Sequence, residues 1–498
     1  MGELRLGSLI GGSSRFSGRP RVIRAPFDGA VLGRWWSATV DEVDEAVASS
    51  KAAWVEWRER PAYERADLLG GICELMRAHE GDLADAMVKP IGKTIVDARA
   101  EVSRAIRTMQ YSSQETGRLA GEEIPLEGDP TGVGRFGVVR RVPIGVVAAI
   151  TPFNAPLNLL CHKIGPALGA GNAVVTKPHP AGSAVTLLLA TLCLEAGLPA
   201  GALSVILGGS DVGGRLVRDR RVGLVNFTGS GDVARRIIVA AGLKRTVLEL
   251  GGNAPTIVHA DADLEFAVKS CLQASFGLSG QSCASTQRLY VHAAVFPKFT
   301  DLFLRAVGAL RVGDPEDSQT QIGPLISVNA AKRVEAVIGT AVEGGAEVLC
   351  GGRRAGSLVW PTVLGHVAED SAASRQEVFG PVVVLTPYQD LAEAIAWSNN
   401  SEYGLKAGIF TQSLDVALRA GRELEYGTVN VNGASRQRTD LEPSGGVKGS
   451  GWGLEGPRYA MREMTYFKMV SVASGARPAM EPPGRSSGAP PLPLSGPR

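Results

Sequence analysis

Hydrophobic positions recur every three to four residues over most of residues 40–119, which is the pattern of amphipathic helices. The pattern predicts three helices, Val40–Trp57, Tyr63–Val88 and Lys93–Leu119. Before them, Gly, Ser and Arg alternate with two short β-prone pieces, Arg21–Arg24 and Ala30–Gly33, which predict an N-terminal hairpin.

The helical pattern stops between residues 122 and 141, where the chain becomes rich in Gly and Pro and prone to form strands. An excursion of this kind within an α/β region is typical of a projecting arm. We therefore expect residues 122–141 to leave the body of the fold.

From Ile144 onward, short apolar runs alternate with helical segments. The predicted strands are Ile144–Thr151, Ala173–Lys177, Leu203–Leu207, Gly223–Phe227 and Arg245–Leu248, and the predicted helices are Leu157–Leu168, Gly182–Ala196, Val212–Arg218 and Asp232–Ala241. Strict alternation of strand and helix favours a doubly wound parallel sheet, in which ligands bind at the carboxyl ends of the strands.

A second α/β unit follows Gly252. Its predicted strands are Ala254–Val258, Arg288–His292, Glu347–Leu349 and Ala407–Phe410, and its predicted helices are Leu264–Gln273, Phe296–Leu310, Ala330–Glu343, Leu391–Ser398 and Leu414–Leu424. Residues 475–498 contain mainly Pro, Gly, Ser and Ala, and we expect them to be a disordered tail.

The composition describes a large globular chain without a dominant charge. A chain of 498 residues is too long for one hydrophobic core, and the net charge of +2 provides no field for nucleic acid or a membrane surface. The six cysteines are scattered without a CxxC pair or metal-ligand spacing, and the N-terminus has no apolar signal-peptide core. The sequence therefore predicts a cytoplasmic protein that binds neither nucleic acid nor metal.

Two loops carry candidate chemistry. Cys283 ends the small-residue run Phe276–Cys283 between a predicted helix and strand, where a thiol would be accessible, although most free cysteines merely pack. Phe227–Gly231 is a strand-to-helix turn of glycines and hydroxyls that would let a phosphate approach a helix N-terminus. It has no GxGxxG, and an ordinary tight turn explains it about as well.

Five separated motifs, in order, resemble the aldehyde dehydrogenase superfamily over roughly residues 20–472. They are Thr151-Pro-Phe-Asn-Ala-Pro156; Val174-Val-Thr-Lys-Pro178; Phe227-Thr-Gly-Ser230; Glu249-Leu-Gly-Gly-Asn253 with Gly280-Gln-Ser-Cys283, whose cysteine follows the glutamate by 34 residues; and Glu377-Val-Phe-Gly-Pro381 with Pro443-Ser-Gly-Gly-Val-Lys-Gly-Ser-Gly451.

This resemblance implies the fold and its division. The fold would be α/β and aldehyde dehydrogenase-like, with two doubly wound parallel-sheet domains and a β oligomerisation arm. The implied boundaries are residues 1–121 and 142–250 for the dinucleotide-binding domain, 251–462 for the catalytic domain, and 122–141 with 463–474 for the arm. A homodimer or homotetramer is expected, because a partner subunit would cover the exposed strand edges of the arm.

The resemblance also implies a mechanism. Cys283 would add to the aldehyde carbonyl, and Asn154 would hold the resulting oxyanion with the backbone N–H of Cys283. Hydride transfer would leave a thioester on the cysteine, and Glu249 would act as the general base for its hydrolysis. Two alternatives are a CoA-acylating dehydrogenase, which typically lacks this glutamate, and a catalytically silent relative, which the intact set of three residues disfavours.

The cofactor would be NAD or NADP. The residues expected to bind it, carried over from the family, are Thr151, Pro152, Phe153, Lys177, Pro180, Gly229, Ser230, Leu250, Glu377 and Phe379. NAD-preferring members usually have a glutamate three residues after the lysine, whereas this chain has Pro180, so NADP is also compatible.

The expected substrate is a small, polar or anionic aldehyde. The segment Phe153–Ile164 resembles members that act on lactaldehyde, glyceraldehyde 3-phosphate or phosphonoacetaldehyde, and His162 replaces a bulky apolar tunnel residue. The residues expected to contact the substrate are Arg438, His162, Arg104, Arg107 and Ser282. Guanidinium groups suit oxyanions, although each of these arginines could instead be solvated or structural.

Overall fold

The computed structural model describes residues 3–473. Its helices are α1 (Val40–Trp57), α2 (Ala62–Ala78), α3 (Glu80–Ile91), α4 (Ile95–Thr116), α5 (Pro156–Gly169), α6 (Ser183–Glu195), α7 (Ser210–Arg218), α8 (Gly231–Ala241), α9 (Leu264–Phe276), α10 (Phe296–Gly308), α11 (Val328–Glu343), α12 (Ala372–Arg375), α13 (Leu391–Asn399), α14 (Leu414–Glu423) and α15 (Pro457–Glu463). The tail predicted for residues 475–498 lies outside the described residues.

The strands are β1 (Leu4–Leu6), β2 (Ser8–Ile10), β3 (Ser13–Arg15), β4 (Pro20–Arg24), β5 (Val31–Trp36), β6 (Glu122–Ile124), β7 (Arg135–Pro143), β8 (Val146–Thr151), β9 (Ala173–Pro178), β10 (Leu203–Val205), β11 (Val222–Thr228), β12 (Arg245–Glu249), β13 (Ala254–Val258), β14 (Thr286–His292), β15 (Glu347–Cys350), β16 (Arg354–Ala355), β17 (Leu358–Val359), β18 (Thr362–Gly365), β19 (Val382–Tyr388), β20 (Tyr403–Gly404), β21 (Lys406–Phe410), β22 (Thr428–Val431), β23 (Val447–Lys448), β24 (Gly451–Trp452) and β25 (Thr465–Ala473).

The first large sheet has the strand order β24-β12-β11-β8-β9-β10-β2-β3. Its five central strands are parallel, and antiparallel strands flank them at both edges. Alternate residues of β8 enter different cores: Val147 and Ala149 pack with α2 to α6, whereas Val146 and Ala148 pack with α1, α7 and α8. Helices therefore cover both faces, as the alternating pattern predicted.

The second large sheet has the order β15-β18-β19-β14-β13-β21-β22, and all pairs except β15 with β18 are parallel. Val258 and Leu289 pack against α9 and α10 on one face, and Ile257 and Tyr290 pack against α13 and α14 on the other. The α/β fold class with two parallel sheets is confirmed. Within residues 3–473 no helix is both long and apolar enough to cross a membrane.

Residues 120–142 and 466–473 form a separate compact unit. In its sheet, β7 lies between β25 and β6, and β6 pairs with β7 in antiparallel register. Arg135 Nε donates to Ser471 Oγ at 2.9 Å, and the Arg141 guanidinium lies 3.9 Å from the centre of the Phe467 ring.

The prediction of one helix over Tyr63–Val88 is wrong, because the chain breaks at His79 (φ −111°, ψ 24°) and forms α2 and α3. The buried stripe continues through the break in the same phase, from Met76 to Leu83, seven residues apart. Since two helical turns also span about seven residues, the hydrophobic pattern could not reveal the change of direction. The pattern also missed β18, β19 and β22.

Candidate active site

The carboxyl ends of four parallel strands bring predicted residues to one edge of the first sheet. Thr151 at the end of β8 is in register with Pro178 at the end of β9, and Thr228 at the end of β11 is in register with Glu249 at the end of β12. Residues far apart in the sequence therefore share one edge, where ligands of doubly wound sheets bind.

The loop that carries Cys283 is held in a strained conformation. Leu278, Ser279 and Gly280 have φ angles of 56°, 55° and 70°, which cost non-glycine residues roughly 1 kcal/mol or more each. Leu278 N–H donates to Asp97 Oδ2 at 3.2 Å, and Ser279 Oγ donates to Gly323 O at 2.9 Å. These two hydrogen bonds hold the segment of the loop that precedes the cysteine.

Cys283 is half-buried, and its neighbours disfavour the thiolate. Burial first, and then the carboxylates of Glu377 and Glu249, raise the pKa of its thiol to about 12, while Arg438 opposes the rise. The resting group is therefore a neutral thiol, which needs a base to accept its proton before it can act as a nucleophile. Gly252 leaves room for the Cys283 carbonyl, which any Cβ at that position would overlap.

Asn154, in the turn after β8, and Glu249, the last residue of β12, are the other two predicted catalytic residues. Asn154 Nδ2 donates to the carbonyl oxygen of Gln281 at 2.9 Å, two residues before the cysteine. Glu249 is 6% exposed, and its Oε1 has no partner within the described part of the chain. Burial, and then Glu455, raise the pKa of Glu249 well above its usual value. A buried carboxylate of raised pKa beside a thiol has the character of a proton acceptor.

Near these groups is a set of paired ionisable side chains, most of them buried, that we name the ionic cluster: Lys163, Glu455, Arg438, His162, Asp440 and Arg104. Glu455, 1% exposed, pairs with Lys163 Nζ at 3.3 Å and Arg438 Nη1 at 3.2 Å. Lys163 Nζ also donates to Asn226 and Thr228, both at 2.7 Å. Every charge in this half of the cluster therefore has a partner in the protein.

Asp440 organises the other half of the ionic cluster. Arg104 donates to its two oxygens at 2.7 and 3.2 Å, and His162 Nε2 lies 3.1 Å from Oδ1. Despite its burial, these partners hold the pKa of Asp440 far below its usual range. Burial, and then Arg438, lower the pKa of His162, so the imidazole is neutral near pH 7.

The predicted substrate residues are therefore mostly engaged already. His162 is fully buried against Asp440, and the guanidinium groups of Arg104 and Arg438 hold carboxylates instead of facing a cavity unpaired. Arg107 is exposed and donates to Ser103 Oγ, and Ser282 Oγ accepts from the backbone N–H of Ala284 at 3.3 Å. The sequence shows charge at these positions but not the carboxylates that neutralise it.

Sequence reasoning gave no role to Glu455, Asp440 or Lys163. A signal was present for the lysine, because it lies within the otherwise apolar helix α5 and so required a buried partner. No pattern identified the two acids, which lie on either side of a segment rich in glycine.

The other side of the site has polar groups without partners. Thr151 Oγ1 and Thr176 Oγ1 are buried and unbonded within residues 3–473, and Lys177 Nζ donates only to the carbonyl of Pro178 at 3.2 Å. Burial lowers the pKa of Lys177 to about 8. Ser230, which follows Gly229, is the N-cap residue of α8, and its side chain makes no capping hydrogen bond. The free backbone N–H groups at a helix N-terminus suit a phosphate. These groups fit a dinucleotide.

The remaining predicted cofactor residues lie on loops of both sheets. Glu377 Oε1 accepts the N–H of Gly252 at 3.0 Å, and burial raises its pKa to about 7. The ring of Phe379, at a positive φ of 48°, meets the ring of Phe153 edge-on at 5.9 Å. Leu250 N–H donates to Ser450 O at 3.0 Å.

Pro152 precedes Phe153 in the turn after β8. Pro180, three residues after Lys177, is the first residue of a short 3-10 turn, and His179 Nδ1 caps this turn. Position 180 therefore offers no side-chain hydrogen bond to a ribose.

Known proteins are similar to this chain in sequence and in architecture. The profile of the Aldehyde dehydrogenase family matches residues 17–470. The chain is 45% identical to a 3-sulfolactaldehyde dehydrogenase of Priestia aryabhattai, over 87% of this chain and 91% of that protein. It is 38% identical to a sulfoacetaldehyde dehydrogenase of Neptuniibacter caesariensis, over 90% of this chain and 98% of that protein.

Among solved structures, an NADP-dependent glyceraldehyde-3-phosphate dehydrogenase from Bacillus halodurans C-125, complexed with NADP, superposes with a TM-score of 0.92. The two sequences are 34% identical, and the match covers 95% of this chain and all of the other. The chain belongs to the aldehyde dehydrogenase family and is an NAD(P)-dependent aldehyde oxidoreductase.

Proposed function

We propose that this enzyme oxidises a small anionic aldehyde to its carboxylic acid through a thioester on Cys283, which water hydrolyses with Glu249 as general base. One observation carries the proposal. A buried carboxyl group with an unpartnered oxygen raises the pKa of a neutral thiol, and a side-chain amide lies beside the loop of that thiol.

The first half of the reaction forms the covalent intermediate. The thiol proton passes to solvent, with Glu249 assisting its removal, and the Cys283 sulfur forms a bond to the carbonyl carbon, so that the electrons of the C=O bond move to oxygen. The amide of Asn154 donates to this oxyanion, and one such donor contributes roughly 3 kcal/mol to the transition state. Bound NAD or NADP supplies the acceptor for the hydride that leaves the carbon as the C=O bond forms again.

The second half releases the acid. Glu249, once it has lost its proton, takes a proton from water, and the oxygen of that water adds to the thioester carbon. The C–S bond breaks, and the sulfur leaves as a thiolate that regains a proton. Since burial raises the pKa of Glu249, its carboxylate is a stronger base than an exposed glutamate. CoA-acylating relatives would not need this base.

The cofactor would occupy the side of the site with unpartnered groups. We assign Lys177 and Thr151 to the ribose and phosphate side, Gly229 and Ser230 to the pyrophosphate, and Glu377 and Phe379 to the nicotinamide half. Pro152, Phe153, Pro180 and Leu250 would line the path between them. The lack of a carboxylate at Pro180 leaves room for either dinucleotide.

The anionic substrate class rests on the relatives. Two relatives are named for aldehydes that carry a sulfonate.

The test is a panel of short aldehydes with NAD or NADP, read by absorbance of the reduced cofactor, with and without CoA. We expect kcat/KM for aldehydes with a carboxylate, sulfonate or phosphate to exceed that for propionaldehyde, and CoA to have no effect. A preference for hexanal or benzaldehyde would refute the anionic class. A requirement for CoA, with an acyl-CoA product, would refute hydrolysis.

We further propose that the enzyme is a cytoplasmic homodimer or homotetramer. All six cysteines are unpaired, as in a reducing compartment. Strand β25 ends its sheet and exposes Phe467, Met469 and Val472, so a second copy would cover it. A monomeric mass by light scattering at micromolar concentration would contradict the assembly.

A further inference from the structure

Arg436 differs from the other cations near the nucleophile because no carboxylate within residues 3–473 holds it. It is half-buried, and its one hydrogen bond in the described structure runs from Nη1 to the carbonyl oxygen of Gln273 at 3.2 Å. By contrast, Arg438 holds Glu455, and Lys406 Nζ holds Glu442 at 3.0 Å. A half-buried guanidinium bonded only to a neutral carbonyl can accept an anion.

Gly277 provides the space in which this guanidinium lies. The glycine has φ −57° and ψ 144°, which any residue can adopt, so its backbone does not require glycine. A Cβ at position 277 would overlap Nη1 of Arg436 and lie 3.0 Å from Cζ. Any larger residue here would displace the guanidinium, because the guanidinium packs directly on the main chain.

This pair lies between the loop of the cysteine and an open groove. Gly277 begins the loop that leads to Cys283, and Cys283 is one of the groups that influence the pKa of Arg436. An open groove of about 680 Å³ reaches Gln273 and Gly277, the two residues that contact the guanidinium. Asp97, the acid that most favours the charge of Arg436, already accepts the N–H of Leu278.

We propose that Arg436 binds the anionic group of the substrate and determines specificity for it, and that Gly277 is the positioning residue that makes its placement possible. The inference rests on the proposed function, and it replaces Arg438 as the anion-binding arginine. The ligand chemistry is a terminal oxyanion on a short aldehyde. A guanidinium can hold carboxylate, sulfonate or phosphate through two parallel N–H donors.

The test compares Arg436→Ala, Arg436→Lys and Gly277→Ala with the wild-type enzyme, using short aldehydes that end in a carboxylate, a sulfonate or a phosphate, and propionaldehyde. For Arg436→Ala we expect the ratio of kcat/KM for the preferred anionic aldehyde over propionaldehyde to fall about tenfold or more, through KM rather than kcat. Arg436→Lys should restore part of the ratio, because lysine keeps the positive charge but lacks the two parallel N–H donors of the guanidinium.

Gly277→Ala should lower the same ratio although Arg436 is intact, because the methyl group displaces the guanidinium. Arg422 is exposed and provides the matched control. Arg422→Ala should change neither the KM for the anionic aldehyde nor the KM for propionaldehyde. Thermal unfolding of each variant reports whether it folds, and if Gly277→Ala does not, the Arg436 variants decide the question.

The outcomes separate this inference from the proposed function. If the wild-type enzyme prefers anionic aldehydes and Arg436→Ala keeps that preference, or loses activity equally for all substrates, the role of Arg436 is refuted while the anionic class stands. If the wild-type enzyme does not prefer any anionic aldehyde, the proposed function and this inference are both overturned.

Discussion

The charged side chains buried on the two sides of the nucleophile differ in their partners. In the ionic cluster, Glu455 and Asp440 each hold two cationic or imidazole side chains within 3.3 Å, although His162 Nδ1 and Arg438 Nε have no partner in the described structure. On the cofactor side, the hydroxyls of Thr151 and Thr176 have no partner in the described structure, and the ammonium of Lys177 has one neutral acceptor.

The difference shows that buried charge alone does not identify a ligand site. Burial costs free energy in both regions, but the cluster recovers it from internal pairs, whereas the cofactor side can recover it only from a bound molecule. The same contrast separates Arg438 from Arg436, which lie in the same loop.

The largest effect should follow the removal of a shared acid. Glu455→Ala leaves Lys163 and Arg438 buried without their carboxylate, and we expect the free energy of unfolding to fall by about 3–5 kcal/mol. Urea unfolding followed by tryptophan fluorescence measures it, with Arg422→Ala as the control. A loss under about 1 kcal/mol would mean that the cluster is hydrated rather than mutually neutralised.

An intermediate effect should follow the removal of an unpaired cation. Lys177→Met should weaken dinucleotide binding by roughly 10- to 150-fold, since a hydrogen bond to a charged group contributes about 1.5–3 kcal/mol. It should not lower stability, because a pKa depressed on folding means that the protonated lysine opposes the fold. Titration calorimetry and urea unfolding of the same variant test both halves, and unchanged affinity with lost stability would reverse the assignment.

The smallest effect is the pH dependence of dinucleotide affinity. The Lys177 ammonium, with a pKa of about 8, is lost as the pH rises through 8, and the Glu377 carboxylate, with a pKa of about 7, is lost as the pH falls through 7. If both charged forms bind, affinity is highest between these values and falls several-fold over one pH unit on either side. Lys177→Met should remove the alkaline limb and Glu377→Gln the acid limb, whereas identical profiles in both variants would exclude these groups.

Sequence alone predicted the elements that follow from periodicity and shared edges. Alternating strands and helices predicted the first sheet, and the carboxyl ends of β8 and β12 bring Asn154 and Glu249 toward the loop of Cys283. The break at His79 was invisible because the apolar stripe stays in phase across it.

Which side chains pair with each buried charge could not be predicted in the same way. Arg436 and Arg438 are equivalent in sequence, and only the fold brings Glu455 to one and Gly277 to the other. Long-range pairing depends on the tertiary packing of loops, for which no local pattern exists.

The most direct test of the mechanism is the intact mass of Glu249→Gln after mixing with a short aldehyde and the dinucleotide. We predict a gain of one acyl group per chain, located on the peptide that contains Cys283, together with one equivalent of reduced cofactor and little turnover. The double variant with Cys283→Ala should gain no mass. An unmodified Glu249→Gln protein that turns over at the wild-type rate would contradict the thioester mechanism and the role of Glu249 in it.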